Sequence, residues 1–440
     1  MVQRSSASVV LVIAIAGFTS SVRSDDWPQW GGPQRDGIWR ETGILDAFPA
    51  DGLKVRWRQP LGAGYTGPAV ANDRVYVTDR PQRTQTERVL CLDERTGKPI
   101  WTHTYASRYQ GINRNSGPRA TPTVADGKVY TIGTMGHLFC FDAATGKIVW
   151  KKNFVDDFGT NVPMWGMSAG ALVDGERLIC LVGGADGAGV VAFHKDTGTE
   201  IWRSLNLEDP GYCPPVIFEV GGTRQLIVWH PEAVVSLNPE TGTSHWTVPF
   251  KVKSNLTIPT PVLEGDRLFL TAFYDGPFML KLAQDRPAAS LLWRGKSRSE
   301  RPRQTDGLHS IMATPVMRDG HVYGVCSYGM MRCLDATTGR RVWNTLDFTG
   351  EGRWWNAFLV PQRDRFFICN EQGELIIARL SPQGHKIISR TQLIEPTGAE
   401  NGRQIVWSHP AFANRHVFAR NDKEIICASL AADQTASAAE

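Results

Sequence analysis

From residue 53 to residue 430 the apolar positions come in short alternating runs, such as KVYTIG (128–133), HLFCFD (137–142) and RLFLTAF (267–273). Few stretches keep the three-and-four spacing of an amphipathic helix. Alternation with period two, broken by D-G and N-D pairs, predicts antiparallel strands joined by tight turns. The runs also come in sets of four. Residues 120–150, ATPTVADGKVYTIGTMGHLFCFDAATGKIVW, read as a first strand ending near D-G, a β-branched second strand, a glycine turn, a third strand, a Thr-Gly turn and a fourth strand bearing Trp. Residues 313–343, ATPVMRDGHVYGVCSYGMMRCLDATTGRRVW, repeat that order.

The end of each set is its most regular part. CLDERTGKPIW (91–101) recurs as CFDAATGKIVW (140–150), SLNPETGTSHW (236–246) and CLDATTGRRVW (333–343). A fifth copy, AFHKDTGTEIW (192–202), carries His194 where the others have Asp or Asn. Final-strand tryptophans at 57, 101, 150, 202, 246, 293 and 343 are spaced by 44, 49, 52, 44, 47 and 50 residues. A period of about 40–50 residues with four strands per unit is that of a β-propeller.

Weaker units complete the count. Residues 257–293 keep the strand RLFLTAF and Trp293 but have RPAAS for Thr-Gly, and 355–390 keep RFFICNEQGELIIARL without the Trp. Residues 406–430 supply three strands, while LKVRWRQP (53–60) is a fourth strand with no three before it. Pairing the two fragments completes one blade and removes two exposed edges. The expectation is an all-β, eight-bladed propeller of four-stranded antiparallel blades over 53–430, closed by that pairing. Seven blades is the competing count if 354–390 is not a true blade.

The motif reads as a mechanical device. Thr-Gly lets the chain reverse between third and fourth strands, with Gly free to take positive φ. Lacking a Cβ, that turn offers a flat peptide on which an indole from the neighbouring blade can lie. The small first residue leaves room on the other side, and the indole N–H must find an acceptor. The expected docking residues are Gly97 and Trp101, Gly146 and Trp150, Gly198 and Trp202, Gly242 and Trp246, and Gly339 and Trp343.

These residues resemble the PQQ-type repeat, whose tryptophan-docking motif is Ala-x-Asp/Asn-x-x-Thr-Gly-x-x-x-Trp, here with Cys or Ser for most of the leading Ala. The resemblance covers about residues 53–430. It implies a propeller, and it is shared by quinoprotein alcohol and glucose dehydrogenases, by the non-enzymatic outer-membrane scaffold BamB and by other exported propellers. The fold alone does not choose among them.

Composition adds bounds. The chain has 440 residues, 42% hydrophobic and 21% charged, and a net charge of +4, too small to imply a nucleic-acid partner. Arg4 ahead of the apolar run VVLVIAIAGF (9–18) reads as a secretory signal peptide over 1–24, too short for a membrane span. No cysteine follows that run, so the reading is an exported chain, soluble in the periplasm or cell envelope and without a lipid anchor. Residues 25–52 form a lead-in in which Trp27 and Trp30 are expected to pack onto the propeller while Gly31-Gly32-Pro33 turns the chain. Residues 431–440, AADQTASAAE, read as a disordered tail. Cys91, Cys140 and Cys333 occupy equivalent slots of different units, which points to buried thiols rather than disulfides. Cys326 and Cys333, flanking a short turn, are the one candidate exception.

Catalytic templates are absent: there is no HExxH, GxSxG, Walker loop or CxxC. The quinoprotein resemblance implies a quinone sandwiched between a Trp floor and, typically, a disulfide of adjacent cysteines, with Ca²⁺ nearby. This chain has no adjacent cysteines, and its loop carboxylates Asp156, Asp157, Glu300, Asp306 and Glu351 show no metal-ligand spacing. No catalytic residue, metal or cofactor is expected, and PQQ with calcium enters only under that alternative. The loops joining one blade's fourth strand to the next blade's first are richer. They bring Arg114, Arg119, Trp165 and His309, with Trp354, Trp355, Trp407 and His409, toward one mouth of the channel. Arg and Trp are the types most enriched at binding hot spots. The expected function is a BamB-like binding or scaffolding module with envelope-protein partners. A glycan ligand on the Trp-rich mouth is a further alternative.

Overall fold

In the computed structural model the described residues are 26–114 and 116–432. The expected signal peptide and most of the expected tail lie outside them. Among the described residues, eight four-stranded antiparallel sheets hold every strand but the two of a small hairpin. In chain order, blades one to seven occupy 69–106, 123–153, 172–204, 216–249, 262–294, 316–345 and 357–392. Blade eight takes three strands from 411–429 and its outer strand from Val55–Pro60. The weak unit at 354–390 is a true blade, so the count is eight. Among the described residues no helix is long and apolar enough to cross a membrane.

The ring closes by the expected pairing, with Trp57 opposite Cys427 and Gln59 opposite Ile425. Every complete motif repeats that pair: a small residue of the third strand faces the tryptophan of the fourth, as Cys91 faces Trp101 and Ala192 faces Trp202. Blade eight thus uses residues from opposite ends of the chain for a contact that other blades make within eleven residues.

Five of the final-strand indoles lie on the glycine of the following blade. A Cβ built on Gly97 would sit 2.5 Å from Trp57, and one on Gly146 would sit 2.5 Å from Trp101. Trp150 on Gly198, Trp202 on Gly242 and Trp293 on Gly339 repeat the contact at 2.6–2.7 Å. The indole N–H then donates to a carbonyl of the same turn: Trp57 to Glu94 O at 2.8 Å, Trp101 to Ala143 O at 3.0 Å and Trp150 to Lys195 O at 2.9 Å.

The third and sixth motif positions have a role of their own. Asp93 Oδ1 accepts from both the N–H and the hydroxyl of Thr96, at 2.8 and 2.6 Å, which fixes the turn before glycine reverses it. Asp142 with Thr145 and Asp335 with Thr338 do the same. In the variant copy His194 Nδ1 accepts from Asp196 N at 3.2 Å, so the imidazole takes over part of the carboxylate's work.

The exceptions follow the same logic. Blade five has no Thr-Gly turn, and Trp246 donates instead to Gln225 Oε1 of its own blade at 2.7 Å. Blade eight has no turn between its third and fourth strands, because they come from the two ends of the chain. Blade seven accordingly carries Ser389, opposite Ile377, at its tryptophan position. The Ser389 hydroxyl accepts from the Phe48 N–H at 2.9 Å, and Phe48 packs in the hydrophobic cluster that spans blades seven, eight and one.

The lead-in does more than pack on the outside: it crosses the inner edges of the blades and plugs the channel. Trp27 bridges Val70 of blade one, Pro28 O accepts from Val124 N of blade two, and Arg35 donates to Ala171 O and Pro215 O entering blades three and four. Trp30 reaches Thr260 ahead of blade five, and Trp39 N donates to Pro361 O of blade seven. At the far end Ile44 pairs with Ala431 and Ala432 N donates to Gly43 O, so the first two residues of the expected tail pair with the lead-in.

All eight cysteines are free and buried. The Cys326–Cys333 bridge does not form, since Cys333 faces Trp343 and Cys326 Sγ accepts from the His309 N–H at 3.3 Å. Burial pushes the Cys91, Cys140 and Cys369 thiols up to about 12. A thiol that cannot ionise does not react. Titration with an aromatic disulfide at pH 8 is expected to find no reactive thiol in the native protein and eight in guanidinium.

The docking contact has a direct test. Gly127 and Gly146 share positive φ values of 73° and 70°, but only Gly146 lies under an indole, whereas nothing lies within 4 Å of a Cβ on Gly127. Chemical denaturation should show Gly146→Ala destabilising more than Gly127→Ala, the difference being the contact itself. Trp150→Ala, which removes a buried indole, should cost about 3–5 kcal/mol, the usual range for a buried aromatic.

Candidate functional site

The mouth of the channel is a funnel of about 200 Å³ whose wall is built by all eight interblade connections. Tyr65 comes from the connection entering blade one, Arg114 and Arg119 from the next, Trp165 and then Tyr212 from the two that follow. Ile258, Ile311 and Trp354 continue the circle, and Trp407 and His409 close it. Trp30 of the lead-in is the floor.

Two arginines dominate the wall. Arg114 has positive φ (53°), and its guanidinium stacks on Trp354 at 4.4 Å and Trp407 at 5.1 Å. Its carboxylate partner is Glu400. That residue sits on a small hairpin of Gly398–Glu400 paired with Arg403–Ile405, inserted between blades seven and eight. Arg119 lies over Tyr65 at 5.3 Å and donates to the backbone oxygens of Gly117 (3.1 Å), Asn113 (3.0 Å) and Arg114. Burial lowers the pKa of both guanidinium groups from the usual value, the mark of cations short of solvent.

Trp354 is held in a left-handed backbone (φ 67°), a conformation that costs a bulky residue energy. Its N–H donates to Ser327 O at 2.9 Å, and Arg353 stacks on its ring at 4.3 Å, completing an Arg–Trp–Arg layer. Trp407 Nε1 donates to Glu371 at 2.8 Å; that buried carboxylate also accepts from Arg403 and from Asn356 N. Trp165 meets Tyr212 edge-on at 5.6 Å.

His409 is buried between Trp30, whose ring meets it edge-on at 4.4 Å, and Thr121, whose hydroxyl is 2.8 Å from Nε2. Burial drives its pKa down to about 4. Between that value and about 6.5, its ordinary value, the unfolded chain holds a proton that the folded chain does not. Stability should therefore rise with pH through this window and be lost as pH falls through it. His409→Gln should flatten the slope by up to about 1.4 kcal/mol per pH unit, read from denaturation midpoints between pH 4 and 7.

Six of the eight expected mouth residues line the funnel: Arg114, Arg119, Trp165, Trp354, Trp407 and His409. His309 and Trp355 do not. His309 is fully buried with Nδ1 3.2 Å from Phe273 O, and Trp355 packs on Gly350 and Gly329. Membership of a loop places a residue near the mouth but does not say which way its side chain turns. The loop carboxylates do not line the funnel either. Asp157 accepts from Asn153 N, Asp306 accepts from Lys296 N and Ser297 N, and Glu300 lies 3.6 Å from Arg353. Two triples that could approach an ion, Glu94–His416–Cys427 and Glu176–His194–Asp196, sit around the docking turns rather than the mouth. Sequence reading missed Tyr65, Tyr212 and the Trp30 floor. The signal for the two tyrosines was available, since each stands just ahead of a first strand, as Thr121 and His409 do.

The ring of four-stranded blades with indoles docked on Thr-Gly turns defines a PQQ-like β-propeller. A family model described as outer membrane protein assembly factor BamB matches residues 41–184, 85–345 and 186–436, and the chain belongs to this family. Its relatives fall on both sides of the catalytic divide. BamB of Salmonella typhimurium is 25% identical over 61% of this chain and 67% of its own length. A quinoprotein ethanol dehydrogenase of Pseudomonas aeruginosa is 26% identical over 34% of this chain, but the match spans only 25% of the enzyme. Among solved structures, BamB from Moraxella catarrhalis aligns with a TM-score of 0.56 at 15% identity, covering 86% of this chain and 99% of that one. Quinohemoprotein alcohol dehydrogenase from Comamonas testosteroni aligns at 0.60 and 15% identity, covering 92% and 80%. Both likenesses establish the fold alone.

Proposed function

We propose that this chain is an exported, non-catalytic propeller that acts as a protein-binding or scaffolding module of the periplasm or cell envelope, as in the BamB branch of its family. The observation that carries the reading is the chemistry of the mouth. It gathers arginine and aromatic side chains from six of the eight interblade connections, and among its lining residues there is no Asp, Glu, Asn, Gln or Cys. Such a surface favours binding: its one hydroxyl–imidazole pair, Thr121 with His409, has a ring whose pKa burial holds down to about 4, which makes it a weak base at neutral pH.

The quinoprotein reading fits this donor set poorly. Calcium asks for six to eight oxygen ligands, and the lining offers only hydroxyls and backbone carbonyls. Glu371, the buried acid behind Trp407, is already engaged by Arg403. A sugar would want carboxylates or amides to meet its hydroxyls, and the glycan reading is not kept for the same reason.

The test is a pull-down from envelope extract with the wild type and with Trp354→Ala/Arg114→Ala, the variant being checked for native thermal unfolding. Partners captured by the wild type should be lost from the variant. Retention of every partner, or dye reduction with alcohols after addition of PQQ and calcium, would overturn the assignment.

A further inference from the structure

The mouth has an unbalanced charge. Two guanidinium groups line it, and no carboxylate does. Arg114 is balanced from outside the lining by Glu400, a carboxylate carried on a hairpin of the chain's own backbone. Arg119 has no such partner: among the described residues no carboxylate oxygen lies within ion-pair distance of it, the buried Glu87 acts on it only from farther off, and its contacts are the Tyr65 ring and three backbone carbonyls. A guanidinium has five N–H donors, so two remain. A partly desolvated cation that lacks an anion is costly, and an incoming carboxylate would relieve that cost with a charge-assisted pair.

Apart from the arginines the wall is largely apolar. Trp30, Trp165, Ile258 and Ile311 form a bowl with room for a side chain or two rather than a folded domain. Charge and apolar surface in one mouth describe a ligand with an acidic group next to a hydrophobic one. The contact of Glu400 on Arg114 shows the form in which such a group already arrives here, on a strand of polypeptide.

We infer that the mouth is a receptor for an acidic peptide segment, which sets a carboxylate on Arg119, competes with Glu400 for Arg114, and places an adjoining apolar side chain in the bowl. This rests on the binding function proposed above and names its ligand. An oligonucleotide, the other extended anion, is disfavoured by a net charge of only +4 spread over 440 residues.

The experiment uses the full chain and a fluorescein-labelled decapeptide of alternating Glu and Leu, read by anisotropy and by quenching of intrinsic tryptophan fluorescence. Its controls are the Gln/Leu and Lys/Leu analogues and a ten-nucleotide single strand. The acidic peptide should bind at least tenfold more tightly than the Gln/Leu analogue and weaken with salt. Arg119→Gln should lose about tenfold, with Arg119→Lys recovering part of it. Glu400→Gln should bind severalfold more tightly, because it frees Arg114, and a folding defect cannot mimic that gain. Equal binding of the acidic and amide peptides, tighter binding of the oligonucleotide, or no gain in Glu400→Gln would overturn the inference. If no peptide binds while the mouth variant still loses its envelope partners, the ligand class falls and the binding function stands.

Discussion

An indole lying flat on a glycine turn of the next blade is the contact on which the rest of this molecule depends. It works because three requirements coincide at one point. The turn must reverse, the peptide must be bare enough for a ring to touch it, and the ring's N–H must have a carbonyl within reach. Gly146 under Trp101, with Ala143 O accepting the indole N–H, meets all three, and a single Cβ would end the contact. Repetition then turns a local preference into a ring, since each blade is held by the one before it and holds the one after.

The places where the contact is missing show how strictly it governs the sequence. Blade eight is assembled from both ends of the chain and so has no turn between its last two strands. Blade seven, which would need that turn, has Ser389 in place of tryptophan and takes its packing from Phe48 of the lead-in. The same lead-in crosses the inner strands with Trp27, Arg35 and Trp39, the two indoles being buried there. What the plug leaves open is the mouth, with Trp30 as its floor.

Rigidity in the ring and chemistry at the mouth are separate achievements of one architecture. The blades spend their aromatic residues on one another, whereas the connections spend theirs on a cavity. There Arg114, Trp354 and Arg353 form a layered stack, and the left-handed backbone at Trp354 is held by its N–H bond to Ser327. The cations at the mouth are partly stripped of water and incompletely matched by anions, and the binding role proposed above rests on that arrangement.

The repeat, the four-strand unit, the glycine–tryptophan pairs and the closure by Val55–Pro60 were all legible in the chain. Each rests on residues close in sequence, or on a strand whose partner is missing and must be found elsewhere. Loop positions were legible to the extent that six of the eight expected residues reach the mouth. Side-chain direction was not. His309 turns inward to Phe273 and Trp355 folds onto Gly350, because neighbouring blades rather than the loop decide where space exists. The plug, the Trp30 floor, the Glu400 contact on Arg114 and the solitary state of Arg119 belong to the tertiary structure alone. They join residues hundreds of positions apart, and the sequence records no distance between them.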